Sequence, residues 1–347
     1  MTDLFTIAAN RGELGGGEVM LLQLADAARA LGLATRVVAP RTPAETADAA
    51  HDAGHGVVAL PCRSRRDYAR ALRSWDRDRR GLLWCNGLLP ALATAGHRDR
   101  VVHLHQAPTG AQSWACRLAV AGAVTTVVPS VSMGRTVPHD VVLPNWTGDI
   151  ATLPEPTGRQ VVGYLGRLQS DKGVDVLADA VRGLRDTGRE LRLLVAGDHG
   201  FGDAADRRRV DAALAGLGDA VELLGRVPRE ELLASVDLAV FPSVWSEPFG
   251  LVVAEAMASG VPFVISDAGA LSEVAGPEHP WVARAGDTAD LARVIEEALG
   301  CEPARRREVV AEARRRWEQE FSPTAGGRRF ADVLRRVGYR LPSGARP

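Results

Sequence analysis

Val161-Val162-Gly163-Tyr164-Leu165-Gly166-Arg167-Leu168-Gln169-Ser170-Asp171-Lys172-Gly173 sets the pattern of this chain. An apolar run of strand length ends at a glycine, and Asp171-Lys172-Gly173 opens the helix that follows. A strand apolar along its whole length is covered on both faces, which points to a parallel sheet flanked by helices. The unit recurs downstream, with strands expected at Leu191 to Ala196, Val221 to Leu224, Leu238 to Phe241 and Phe263 to Ile265. Upstream, strands are expected at Leu4 to Ala9, Thr35 to Ala39, Val57 to Leu60, Leu82 to Cys85, Val101 to His105, Val124 to Val128 and Val141 to Leu143. Between the first two of these, Leu21, Leu24, Ala25, Ala28 and Leu31 form one face of an amphipathic helix.

The stretch from Asn145 to Gly158 is rich in Pro, Gly and Thr and has neither periodicity, so it reads as a linker. A chain of 347 residues also exceeds the usual single core. The expected architecture is α/β, with two doubly wound domains: residues 1–146, a linker at 147–158, and residues 159–321. Each sheet would turn its strand ends and loops toward a crevice. A last helix, about 322–340, is expected to pack back on the first domain. The Arg-rich helices Ala304 to Glu320 and Pro323 to Val337 read as solvated faces.

Hydrophobic content of 46% and charged content of 24% describe an ordinary globular protein. A formal net charge of −1 argues against a nucleic-acid binder held by counterion release. Met1-Thr2-Asp3 meets the first apolar run with no basic segment before it, and no run reaches bilayer-spanning length. A cytoplasmic protein is expected, its cysteines (Cys62, Cys85, Cys116, Cys301) reduced and structural. Of 42 basic residues only Lys172 is a lysine. A GC-rich coding sequence writes arginine wherever either cation serves, so the lone lysine marks a place where a compact ammonium is wanted.

Three stretches carry candidate chemistry. Gly15-Gly16-Gly17-Glu18 opens the first helix, where small residues let a ligand approach and free amides favour an anion; an ordinary turn is the alternative. Arg167 and Lys172 lie five residues apart across a strand-to-helix loop and could converge on a diphosphate, the arginine as a fork and the lysine as a point charge. Two solvated loop cations are the bland reading. Glu247-Pro248-Phe249-Gly250 leads into an apolar helix whose one charge, Glu255, must be buried and needs partners such as ribose hydroxyls or an arginine.

Glu247 and Glu255 flank seven residues, and with Pro248-Phe249-Gly250 and the later Ser266-Asp267-Ala268-Gly269-Ala270 they resemble the signature of the family-4 retaining glycosyltransferases. Gly166-Arg167-Leu168 with Asp171-Lys172-Gly173, and Gly225-Arg226-Val227-Pro228 followed by Phe241-Pro242-Ser243, are similar to further stretches of that family. The resemblance is strong from about 160 to 275 and weaker before it. It implies the GT-B fold, two Rossmann-like domains facing across a cleft, with closure about the linker, no cofactor and no metal. The donor would be a nucleotide diphosphate sugar, UDP-linked in preference to GDP or ADP, and the acceptor a small polar molecule. Arg167 and Lys172 would clamp the diphosphate and Glu255 the ribose. Glu247 and the backbone of Phe249, Gly250 and Leu251 would hold the transferred sugar. Val227 would hold the base through its backbone, and Gly16 and Gly17 would line the donor. His105 stands where the family places a histidine near donor sugar or acceptor. Trp84-Cys85-Asn86-Gly87 departs from the family, which commonly has a histidine-containing turn there, leaving Gly15 and Asn86 as candidate acceptor contacts.

Asp76-Arg77-Asp78 spells the metal motif of the other major glycosyltransferase fold, yet it lies inside the Arg-rich stretch Arg63 to Arg80 and reads as charge balance. Contact of that stretch with acidic lipids is weakened by Asp67, Asp76 and Asp78. Rival readings are a nucleotide-sugar epimerase or hydrolase of the same architecture, an envelope or lipid glycosyltransferase, a non-catalytic nucleotide-sugar-binding subunit, and, less favoured, a pyridoxal-phosphate enzyme anchored on Lys172.

Overall fold

The computed structural model describes residues 4–107, 111–151, 160–200 and 203–342. It divides into two compact units, residues 1–148 with 323–347, and residues 149–322. Most of the expected linker, 152–158, lies outside the described residues.

Seven parallel strands build the first unit: β1 Leu4–Ala8, β2 Ala34–Pro40, β3 Gly56–Leu60, β4 Leu83–Asn86, β5 Arg100–His103, β6 Thr125–Val128 and β7 Val141–Val142, in the order β3-β2-β1-β4-β5-β6-β7. Alternation along β1 sends Phe5 and Ile7 to one face with Leu21 and Leu24 of the helix Gly16–Ala30, while Ala8 faces Tyr68 and Leu72. Each large apolar side chain so enclosed contributes roughly 1.5–3 kcal/mol. Phe330, on the helix Pro323–Arg336, meets Phe5 and Trp84 edge-on, with ring centroids 5.4 and 5.3 Å away.

The second unit holds β8 Val161–Leu165, β9 Arg192–Ala196, β10 Val221–Gly225, β11 Leu238–Phe241, β12 Phe263–Ser266 and β13 Val282–Ala283, all parallel, ordered β10-β9-β8-β11-β12-β13. Val162, Tyr164 and Val240 pack beneath Leu177, Val181 and Ile295; Ala239 and Phe241 pack with Val253, Met257 and Trp317 on the other side.

Departures from the sequence expectation have local causes. β5 begins one residue early because Arg100, fully buried, donates to the carbonyls of Ala91, His97, Ala119 and Ala121 at 2.8–3.2 Å, so hydropathy misplaces it outside the strand. β5 also ends at His103, so His105 stands in the following loop. β13, two residues long, is too short to leave a periodic signal. The arginines of the helix Pro303–Arg316 are not simply a solvated face: Arg314 donates to Ile150 and Ala258 carbonyls, and Arg316 to those of Glu273 and Val274 at 2.9 Å. Asp76 is buried, 2.6 Å from both Arg79 Nε and His97 Nδ1. No helix among the described residues is long and apolar enough to cross a membrane.

Candidate functional site

In a doubly wound sheet the strand order reverses at one point, where the loops leaving two adjacent carboxyl ends part and leave a crevice. In the second unit that point lies between β8 and β11. The β8 loop carries Arg167 and Lys172, and the β11 loop carries Ser243, Trp245 and Glu247. Gly173 brings the two loops together: its φ is +72°, and a Cβ there would lie 1.9 Å from the Pro242 carbonyl oxygen. Val244 and Trp245 amides then donate to the Asp171 carbonyl at 2.9 and 3.1 Å.

Lys172 Nζ donates to Glu247 Oε1 at 2.5 Å and stands 5.2 Å from the centre of the Trp245 ring. Ser243 Oγ donates to the same carboxylate oxygen at 2.6 Å. Glu247 is fixed from behind as well, since its carbonyl accepts from the Ala270 amide at 2.9 Å. Gly269, at φ +61°, lets that strand end pass where a Cβ would come within 2.3 Å of the Glu247 nitrogen. Arg167 is half-buried and lies 3.7 Å from the Asp171 carboxylate.

The helix Leu251–Ser259 begins after Gly250 with no side-chain cap; the Val253 amide donates to the Gly250 carbonyl at 3.0 Å, which leaves the amides of Leu251 and Val252 without intrahelical acceptors. The Phe249 ring is buried edge-on against Phe321, so only the backbone of that residue is on offer to a ligand. Glu255 is buried, and Arg229 Nη1 donates to its Oε1 at 2.7 Å. Burial raises its carboxyl above the usual range while Arg229 pulls it back. Val227 is half-buried, two residues before Arg229.

In the first unit the reversal lies between β1 and β4. The β1 loop opens the helix Gly16–Ala30 after Gly15, again without a side-chain cap. Asn86 ends β4, and His105 follows β5. These residues meet: Asn86 Nδ2 donates to the Gly17 carbonyl at 2.8 Å, and Asn86 Oδ1 lies 2.8 Å from His105 Nε2. Asn86 is fully buried with its amide so engaged, which sets it beneath His105. Burial lowers His105 to about 4. Glu18, in the same helical turn, is buried and its carboxyl is pushed up to about 7 by that burial, against the pull of Arg11 3.9 Å away.

Sequence reasoning missed Arg229, Ser243 and Trp245. Ser243 and Trp245 sit beside Glu247 in the chain and could have been named from that spacing; Arg229, one arginine among 41, leaves no such trace. No cluster of three or more His, Cys, Asp or Glu side chains that could hold a metal ion occurs among the described residues.

Residues 148–317 match the family model described as glycosyl transferases group 1. The chain is 28% identical to a phosphatidyl-myo-inositol mannosyltransferase of Mycobacterium leprae over 88% of this chain and 89% of that protein. It is 35% identical to a 2-deoxystreptamine glucosyltransferase of Streptomyces kanamyceticus over 48% of this chain and 42% of that one. Anabaena HepE, solved in complex with UDP-glucose, superposes with a TM-score of 0.83 at 20% identity, covering 96% of this chain and 99% of that chain, and shares the GT-B class of fold.

Proposed function

From the premise that the chain belongs to the group 1 glycosyltransferases through residues 148–317, we propose that it moves a sugar from a nucleoside diphosphate to an acceptor hydroxyl with retention of configuration. The observation that carries this is the Lys172–Glu247 pair, 2.5 Å apart across the reversal point of the second sheet. A buried-edge ammonium held by a carboxylate beside uncapped helix amides suits an anionic leaving group next to a sugar.

In this reading Arg167 and Lys172 take the diphosphate and Glu255 the ribose. Glu247 and the amides of Phe249, Gly250 and Leu251 take the transferred sugar, Val227 the base, and Gly16 and Gly17 line the donor. His105 lies at the reacting sugar or acceptor. The diphosphate leaves on the face where the acceptor enters and receives the acceptor proton, giving glycoside plus nucleoside diphosphate. Stabilising the leaving charge is then the main catalytic term. UDP is favoured by the UDP-glucose complex of HepE. A small aminocyclitol-like acceptor is favoured by the 2-deoxystreptamine glucosyltransferase. A lipid-linked acceptor is the second reading, favoured by the name of the mannosyltransferase relative and by Trp114, 68% exposed, four residues before exposed Leu118 on the helix Ala111–Val120.

The test is turnover of UDP-sugars against polyol and aminocyclitol acceptors in the presence of EDTA, with the anomer of the product read by NMR. Activity that survives chelation and gives the donor's anomer supports the proposal; donor consumption without acceptor product, or metal-restored activity, contradicts it. Lys172→Ala is expected to lose about a hundredfold in turnover, the usual worth of one transition-state donor.

A further inference from the structure

Asn86 is fully buried at the end of β4, and its two amide atoms have different neighbours. One faces the Gly17 carbonyl oxygen at 2.8 Å and the other His105 Nε2 at 2.8 Å. A backbone carbonyl can only accept, so the amide nitrogen must face Gly17. The amide oxygen is therefore left for His105, and it too can only accept. Nε2 must then carry the ring proton.

The rest of the surroundings keep the ring neutral. His103, fully buried, lies against it with ring centroids 4.0 Å apart and planes tilted by 46°, and burial lowers both imidazoles below their ordinary value. A neutral ring with its proton on Nε2 has its lone pair on Nδ1, and Nδ1 is a buried atom with no hydrogen-bond partner in the protein, an acceptor left for a bound group to satisfy.

We propose that Asn86 is a positioning residue that locks His105 in the Nε2–H tautomer, so that Nδ1 is held as a hydrogen-bond acceptor for a substrate hydroxyl. This rests on the reading that His105 lies at the reacting sugar or acceptor. It assigns His105 a partner that brings a proton to the bond, a hydroxyl of the donor sugar or of the acceptor, and disfavours an unprotonated phosphate oxygen there. It also gives Asn86 a role other than touching the acceptor itself.

The direct test is long-range proton–nitrogen NMR on the full chain labelled with nitrogen-15 histidine at neutral pH, with His105 assigned by its absence in His105→Gln. The expected spectrum has His105 protonated at Nε2 and bare at Nδ1. A proton on Nδ1, or an imidazolium at neutral pH, overturns the proposal without needing any Asn86 variant to fold. Asn86→Ala is expected to mix the tautomers and to lower kcat roughly tenfold, the worth of one neutral hydrogen bond, and to cost nothing further in a His105→Ala background. An equal loss in that background makes Asn86 independent of His105 and also overturns it. A rise in KM confined to the sugar donor, or confined to the acceptor, identifies which molecule brings the hydroxyl. Unchanged turnover in folded His105→Ala, with the expected spectrum intact, sinks instead the reading of His105 as a site residue.

Discussion

Two helices of this chain both start uncapped after a glycine and hold their buried glutamates differently. Gly16–Ala30 and Leu251–Ser259 each follow a glycine without a side-chain cap, at the carboxyl end of a sheet, and each buries one glutamate within its first two turns. Glu255 has a guanidinium in bonded contact, Arg229 at 2.7 Å. The guanidinium beside Glu18, that of Arg11, stays 3.9 Å away; backbone amides of Glu18 and Arg11 add their pull, and Oε1 has no partner. A helix start favours an anion by only about 1 kcal/mol, less than the cost of burial, so the neighbouring arginine decides how far each carboxyl is held from its ordinary charge. The lesson is that an uncapped helix start after a glycine, extended at Gly15 and left-handed at Gly250, leaves the charge of the site to a side chain supplied by another element.

The largest expected consequence concerns Glu18. Folded, it keeps its proton up to about pH 7, whereas an unfolded carboxyl releases it near 4.5. Between those values the folded chain binds more protons, so stability falls as pH rises, by about 3 kcal/mol at most. Denaturant titrations from pH 4.5 to 7 should show this slope in the wild type and lose it in Glu18→Gln; the same slope in both chains would end the contrast. Next comes Arg229→Met, which strands the buried Glu255. Arg229 is 27% exposed, so the cost is set at about 2 kcal/mol, below the usual range for a broken buried pair. A variant as stable as wild type would show that Glu255 does not depend on its arginine. Smallest is Glu255→Gln, expected to weaken nucleoside diphosphate binding about tenfold in calorimetry, with unchanged affinity returning Glu255 to a purely structural role.

The fold was legible because near-continuous apolar runs such as Val161 to Leu165 leave few alternatives to a covered parallel sheet. Lys172 and Glu247 were legible as candidates through composition and spacing, but not as partners, since that contact depends on Gly173 pressing against Pro242. Arg229 and the Asn86–His105 link were not legible at all. Both arise from residues 26 and 19 positions apart meeting at loop ends, where no periodicity records the approach. Arg100 misled the strand boundary because a fully satisfied buried guanidinium has the hydropathy of a surface residue.

The central claim is that Lys172 meets the diphosphate of a nucleotide donor. Titration calorimetry of UDP and UMP against the wild-type chain and Lys172→Ala measures it most directly. The diphosphate should bind roughly tenfold or more tightly than the monophosphate in the wild type, as charge-assisted contacts to a second phosphate require, and that advantage should shrink toward nothing in Lys172→Ala while UMP affinity holds. Equal affinities in the wild type, or an undiminished diphosphate advantage in the variant, would contradict the account.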